Sequence, residues 1–144
     1  DIVVPATVTN EGVTYNVTHI GSKAFYKCTG MTSIVLPEGL KSIGKEAFYG
    51  CNAITEVNIP STVTYIINYA FYNCKKLESV VIPDSVTSIG SDAFYYCENL
   101  TQIELPNSVT IIGDGAFYWC SSLKSIIIPD GVQQIGKGAF CLFC

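Results

Sequence analysis

The stretch Cys97-Glu98-Asn99-Leu100-Thr101-Gln102-Ile103-Glu104-Leu105-Pro106 decides how this chain folds. Its apolar positions are Leu100, Ile103 and Leu105, and the last two stand two residues apart, so they share one face of a strand. Pro106 ends that strand because proline has no N–H to give to a β-ladder. The stretch therefore predicts a short strand with one buried face, followed by a turn.

The same pattern returns every 23 residues. The tripeptide Ala-Phe-Tyr begins at Ala24, Ala47, Ala70, Ala93 and Ala116, and Cys follows each Tyr by two positions, at Cys28, Cys51, Cys74, Cys97 and Cys120. Five full repeats cover residues 20–134, a partial repeat covers 135–144, and residues 1–19 precede the array. We expect all 144 residues to form one domain.

The rest of each unit predicts a turn, a second strand and one helical turn. A polar pair such as Asp84-Ser85 follows each proline and has turn chemistry. The Ala-Phe-Tyr-x-Cys stretch is too short for a full helix and predicts a single α-helical or 3₁₀ turn. One column is glycine except at Ile67, and a β-branched residue rarely takes positive φ. That column therefore predicts restricted space rather than a left-handed backbone.

This pattern resembles the leucine-rich repeats, which open with Leu-x-x-Leu-x-Leu. It is similar in particular to the treponemal-type, BspA-like class, with a 23-residue unit and a Cys-x-x-Leu-x-x-Ile-x-Ile-Pro core. The resemblance covers residues 20–144 and implies a β-rich α/β fold, a right-handed solenoid of short parallel strands with one short helical turn per repeat. The last unit departs from the pattern, since Cys141 replaces Tyr and Phe143 replaces Cys.

A single unit cannot enclose its own apolar residues, so units must stack and bury them against the same residues one rung away. Rungs in register lie about 4.8 Å apart, which is the strand spacing. Stacking predicts an aromatic column formed by Phe25, Phe48, Phe71, Phe94, Phe117 and Phe140.

The two ends of the array differ. Residues 1–19 begin like a strand, and Asn10-Glu11-Gly12 lies between two alternating stretches, which indicates a hairpin. We expect a modified first rung whose hairpin caps the open edge. The last residues show no cap, which favours further repeats in the natural protein, or else self-association of the open end with another chain.

Composition excludes several classes of function. Only 14% of the residues are charged and the net charge is −4, with eight basic against twelve acidic residues. A strong basic face for nucleic acid is therefore not expected. No apolar run approaches the roughly 18 residues of a membrane span.

No motif points to catalysis, a cofactor or a metal. The five repeated cysteines are predicted to pack as small buried hydrophobes without bridging, and gaps of 23 residues are not zinc spacing. Cys141 and Cys144 form a Cys-x-x-Cys, which is a weak redox signal without a βαβ context. We expect that this protein is not an enzyme.

A surface therefore has to carry the function. One strand row is predicted to face outward and alternates apolar with polar residues: Val35, Asn58, Val81, Glu104 and Ile127. Tyr96 and Trp119 thicken a stripe of repeated tyrosines and form a second candidate patch.

The BspA-like resemblance implies a secreted or cell-surface protein that adheres to host, matrix or other cell-surface proteins. This predicts a protein-binding module that works without a cofactor. Two alternatives stay open, namely carbohydrate binding through Tyr96 and Trp119, and a passive structural spacer in a larger surface protein.

Overall fold

The computed structural model describes residues 1–141, in which short parallel strands form two sides of a solenoid. We call the strands that carry the Ile-x-Ile-Pro part of the repeat the front strands, and those after the proline turn the rear strands. The front strands are β1 (Ile2–Val3), β5 (Ile34–Val35), β7 (Glu56–Asn58), β9 (Ser79–Val81) and β11 (Gln102–Ile103). The rear strands are β4 (His19–Ile20), β6 (Ser42–Ile43), β8 (Tyr65–Ile66), β10 (Ser88–Ile89), β12 (Ile111–Ile112) and β13 (Gln134–Ile135).

The rear strands form one six-stranded parallel sheet in the order β13-β12-β10-β8-β6-β4. The register joins equivalent repeat positions, so that Ile89 lies opposite Ile66 on one side and Ile112 on the other. Each repeat therefore adds one rung, as the 23-residue period predicts.

The front strands are less continuous. β1 pairs with β5, and β7, β9 and β11 form a separate three-stranded parallel sheet. Within the described residues no ladder joins β5 to β7, and residues 124–128 of the fifth repeat form no strand. The front side is thus divided where the rear side is unbroken.

A β-hairpin joins β1 to β4. Its strands are β2 (Thr7–Asn10) and β3 (Val13–Asn16), which pair antiparallel. Glu11 and Gly12 connect them with φ of 49° and 78°, as a two-residue type I′ turn requires. Both strands are solvent-exposed along their whole length. The role of this hairpin as a cap, and the division of the chain into cap, repeats and partial repeat, stay predictions.

One apolar core runs through the stack between the two sides. The predicted aromatic column is present, with successive ring centroids 5.2–5.4 Å apart and ring planes within 5° of parallel. The four central rings, from Phe48 to Phe117, have no solvent exposure. The repeat thus buries its largest side chains only against their own copies in neighbouring rungs.

The predicted helical turn is wrong, because no helix occurs in residues 1–141. The second repeat shows why. Ala47, Tyr49 and Cys51 donate their N–H groups to the third carbonyl before them, whereas Phe48 and Gly50 donate to carbonyls of the next rung. Since alternate N–H groups leave the segment, the consecutive bonds of a helix cannot form. The stretch is a chain of tight turns tied sideways into the stack.

These turns impose a left-handed backbone at two columns that the sequence did not reveal. The first column holds Lys23, Glu46, Tyr69, Asp92, Gly115 and Gly138, and the second holds Lys27, Gly50, Asn73, Tyr96 and Trp119, all with φ between 54° and 70°. Glycine or asparagine at four of these positions was the available signal, since both tolerate positive φ.

The column that contains Ile67 behaves as predicted, with restricted space and no positive φ at its glycines. A Cβ at Gly113 would lie 2.5 Å from the Ser91 backbone nitrogen. Gly90 and Gly113 can therefore donate to isoleucine carbonyls of the preceding rung at 2.7 and 2.8 Å, whereas the Ile67 N–H makes no such bond. The bulk of Ile67 loosens the rear sheet between β6 and β8, which keep only the Ile43–Ile66 pair.

Candidate functional site

The front face presents the predicted outward row. Pleating of the front strands turns alternate side chains to solvent, as in β7, where Val57 is buried and its neighbours Glu56 and Asn58 are exposed. All five members of the row are exposed, namely Val35, Asn58, Val81, Glu104 and Ile127. We call them the front row.

The apolar members of the front row are unusually accessible. Val35 is 57% exposed, Val81 60% and Ile127 84%. Asn58 and Glu104 separate them along the stack, so apolar and polar side chains alternate from rung to rung. This surface combines apolar contact area with polar groups that can hydrogen-bond.

Two depressions flank β11 on the front face. One, of about 280 Å³, lies between β9 and β11 and is lined by residues 79–82 and 102–104. The other, of about 560 Å³, lies between residues 101–105 and 124–127. Glu104 lines both, and Ile127 lines the larger one. The front row is thus bordered by concave surface in its last rungs.

The repeated tyrosines form a second stacked column beside the phenylalanines. Centroids from Tyr26 to Tyr118 are 4.6–4.9 Å apart. Burial raises the pKa of Tyr72 to about 12, with smaller contributions from the neighbouring Tyr49 and Tyr95 hydroxyls. These rings are half-buried packing groups except at Tyr26, which is 37% exposed at the first turn.

Tyr96 and Trp119 lie together as predicted. Their rings stack with centroids 5.6 Å apart, and Tyr95 meets Tyr96 edge-on at 4.8 Å. Both are half-buried and take positive φ, at 58° and 57°. Bulky aromatic residues rarely adopt this conformation, so the pair occupies positions where Gly50 and Asn73 fit at lower conformational cost.

The five repeated cysteines are free thiols, as predicted. Four are fully buried, and their Sγ atoms lie 3.0–3.3 Å from phenylalanine carbonyls of the preceding rung. Burial raises the pKa of Cys51 to about 11 and that of Cys120 to about 12. The thiols stay protonated at neutral pH and act as packing groups. Cys28 differs, because it is only half-buried.

Within residues 1–141 no group of three or more His, Cys, Asp or Glu side chains could hold a metal ion. No helix in that part of the chain is long and apolar enough to cross a membrane. The predicted Cys-x-x-Cys extends beyond the described residues, since Cys144 lies outside them.

Sequence reasoning missed exposed apolar groups on the rear face. Tyr65 is 56% exposed and Ile111 42% exposed. Both stand at the first position of a rear strand, one residue before the buried isoleucine. The alternation of serine with larger residues at this position was the signal that could have found them.

The repeat matches a known family along most of the chain. The BspA-type leucine-rich repeat region matches six times over residues 13–143. No curated protein sequence is significantly similar. Among solved structures, a leucine-rich repeat protein from Bacteroides ovatus is 36% identical with a TM-score of 0.92, over 96% of this chain and 36% of that one.

Two further structures have the same architecture. A T. pallidum leucine-rich repeat protein is 36% identical with a TM-score of 0.88, over 96% of this chain and 63% of that one. A leucine-rich cell surface protein from Faecalibacterium prausnitzii is 34% identical with a TM-score of 0.71, over 96% of this chain and 44% of that one. This chain thus spans between about a third and two thirds of their lengths. With six repeat matches and this shared fold, the chain belongs to the BspA-type leucine-rich repeat family.

Proposed function

We propose that this domain is a non-enzymatic binding module of a secreted or cell-surface protein, and that it binds a host, matrix or other cell-surface protein through the front row. The observation that carries the proposal is the exposure of three β-branched side chains in one register, at Val35, Val81 and Ile127. Two rungs separate each from the next, which corresponds to about 10 Å.

The chemistry of the front row suits a protein partner. Apolar patches rimmed by polar residues mark interaction sites on soluble proteins. Asn58 and Glu104 offer hydrogen-bonding groups between the apolar side chains, and neither is used in a hydrogen bond or ion pair within residues 1–141. A partner can therefore use these groups without breaking an internal contact.

The family supports the location. One structure with 34% identity is a leucine-rich cell surface protein. The solenoid also offers a broad flat face that suits adhesion better than a deep pocket that would enclose a small substrate. This step rests on family analogy, and the binding experiment below tests it directly.

The test compares matched surface variants. Proteins retained by the immobilised domain from serum and extracellular matrix are identified and re-measured individually by surface plasmon resonance. We expect the triple variant V35A/V81A/I127A to weaken a genuine partner at least about tenfold, since central apolar contacts dominate interface energy. The control variant Y65A/I111A removes apolar groups from the rear face and should leave affinity within about twofold.

Equal loss in the two variants would contradict binding through the front row. Unchanged affinity in both would remove the two sheet faces together. If no partner is retained at all, the passive spacer becomes the better account of the domain.

Carbohydrate binding at Tyr96 and Trp119 is a second candidate, favoured by the positive φ that both residues sustain. Backbone strain of this kind costs about 1–3 kcal/mol and concentrates at functional sites. The variant Y96N/W119N keeps a residue that tolerates this backbone, as Asn73 does. We expect it to abolish glycan-array binding while the fold stays intact. A wild-type domain that binds no glycan and shows no change in tryptophan fluorescence would exclude this candidate.

A further inference from the structure

The main chain of residues 124–128 is not tied into the front sheet. Neither the N–H groups nor the carbonyls of this segment make a hydrogen bond within the described residues. Its counterparts in earlier repeats are paired, for example Gln102 opposite Ser79 and Val57 opposite Val80. The segment is therefore a row of unused backbone donors and acceptors.

Local sequence does not account for this. The segment reads Lys124-Ser125-Ile126-Ile127-Ile128, and a run of β-branched residues favours an extended strand. An unpaired strand with such a sequence is a template for pairing with another chain. What the segment lacks is a neighbouring strand at hydrogen-bonding distance, because the groove separates it from β11.

The groove has an apolar floor and charged ends. Ile103 and Ile126 line it from the two walls, with Lys124 and Glu104 also among the lining residues. By the repeat register Lys124 lies opposite Thr101 and Glu104 opposite Ile127, so the two charges are three positions apart along the groove. Three strand residues correspond to about 10 Å. Both charged side chains are exposed and neither belongs to an ion pair within residues 1–141.

We propose that this groove binds an extended peptide segment of a partner protein by strand addition. The peptide backbone pairs with residues 124–128 and with the free edge of β11. Its β-branched side chains cover Ile103 and Ile126, an acidic residue faces Lys124, and a basic residue three positions away faces Glu104. This inference rests on the proposed function, since Glu104 and Ile127 belong to the front row, and it adds the class and conformation of the ligand.

Two synthetic hexapeptides test the groove directly. The first, acetyl-Thr-Asp-Val-Val-Lys-Thr-amide, matches the charges when it runs parallel to the strands, and the second, with Asp and Lys exchanged, matches them when it runs antiparallel. Binding is followed by hydrogen exchange of the intact domain. We expect one peptide to slow exchange of the amides at 124–128 at least about tenfold and to leave the rear sheet unchanged. N-methylation of alternate peptide amides should weaken binding at least about tenfold, because it removes several backbone donors.

A charge exchange supplies the second readout. The variant E104K/K124E alters only exposed, unpaired side chains and should fold normally. We expect it to reverse the preference between the two peptides, each by about three- to fivefold, as suits exposed charge pairs. The variant K75E/E98K, which exchanges an exposed ion pair away from the groove, should leave the preference unchanged.

The proposal is overturned if neither peptide at millimolar concentration protects residues 124–128, or if N-methylated peptides bind equally well. Protection of the segment without peptide, together with a dimer in sedimentation velocity, would show that a second copy of the chain occupies it instead. These peptide measurements are independent of the front-row experiment. Loss of partner binding in V35A/V81A/I127A alongside silent peptides would keep the proposed function and reject the strand-addition mode.

Discussion

The front and rear sides of the solenoid are built from the same repeats, yet only the rear side forms an unbroken sheet. Six rear strands pair in sequence, whereas the front ladder is interrupted between β5 and β7 and again after β11. Both sides bury the same kind of apolar residue in one core. Core packing alone therefore does not determine whether neighbouring rungs share a hydrogen-bonded ladder.

Glycine contributes to the difference. Directly after each rear strand, except at Ile67, a glycine lets the backbone approach the preceding rung and form an additional bond. No corresponding small residue follows the front strands, which end at isoleucine or leucine before proline. The rear side is thus fastened by the backbone, while the front side is left open to other chains.

The largest expected effect concerns the column that supports both sides. Phe71→Ala should destabilise the domain by about 3–5 kcal/mol, because the ring is fully buried between two stacked neighbours. Urea unfolding measures it, with Phe25→Ala as a milder control, since Phe25 is half-buried at the first turn. A loss below about 1 kcal/mol at Phe71 would show that the two sides do not share this core.

A glycine substitution separates the rear side from the front. Gly113→Ala should cost about 1–3 kcal/mol, since its Cβ would meet backbone atoms of Ser91 and Gly90 at 2.5 and 2.6 Å. Gly21 holds the same column with nothing within 4 Å of a Cβ. Gly21→Ala should therefore change stability by less than about 1 kcal/mol. Equal unfolding midpoints for the two variants would contradict the close approach of the rear rungs.

The front row should contribute little to stability. Each alanine in V35A/V81A/I127A removes an exposed side chain and should alter the free energy of unfolding by no more than about 0.5 kcal/mol. Thermal and urea unfolding of the triple variant check this. A combined loss above about 3 kcal/mol would mean that the row belongs to the core and that its binding role needs another account.

The smallest effect repairs the irregular rear rung. In Ile67→Gly the main chain can approach β6, and the residue 67 N–H should bond the Ile43 carbonyl as Gly90 bonds Ile66. The hydrogen bond is worth about 0.5–1.5 kcal/mol and is offset by the backbone entropy of glycine. We expect a stability change below about 1 kcal/mol, with hydrogen exchange of that amide about tenfold slower. Unchanged exchange would show that the side chain is not what loosens this rung.

Much of the fold follows from periodicity in the sequence. The rung per 23 residues, the buried Phe71 column, the free thiols and the outward Val81 all depend on side-chain spacing, which a sequence displays directly. The helical turn was predicted wrongly because spacing does not show where an N–H group finds its partner. Phe48 donates to another rung, and that bond exists only after stacking.

The candidate site was less accessible to sequence reasoning. Val35 and Ile127 can be assigned to an outward row from pleating alone. The gap beside residues 124–128 cannot, because those residues have the pattern of the paired strands before them. Its presence depends on the relative placement of whole rungs, to which every packed side chain contributes.

Residue-resolved hydrogen exchange of the free domain tests the central claim that the rear side is closed and the front side open after β11. The account predicts slow exchange at Gly113, whose N–H bonds Ile89 at 2.8 Å, and exchange at least about a hundredfold faster at residues 124–128. Equal protection of these two regions in the monomer would contradict it.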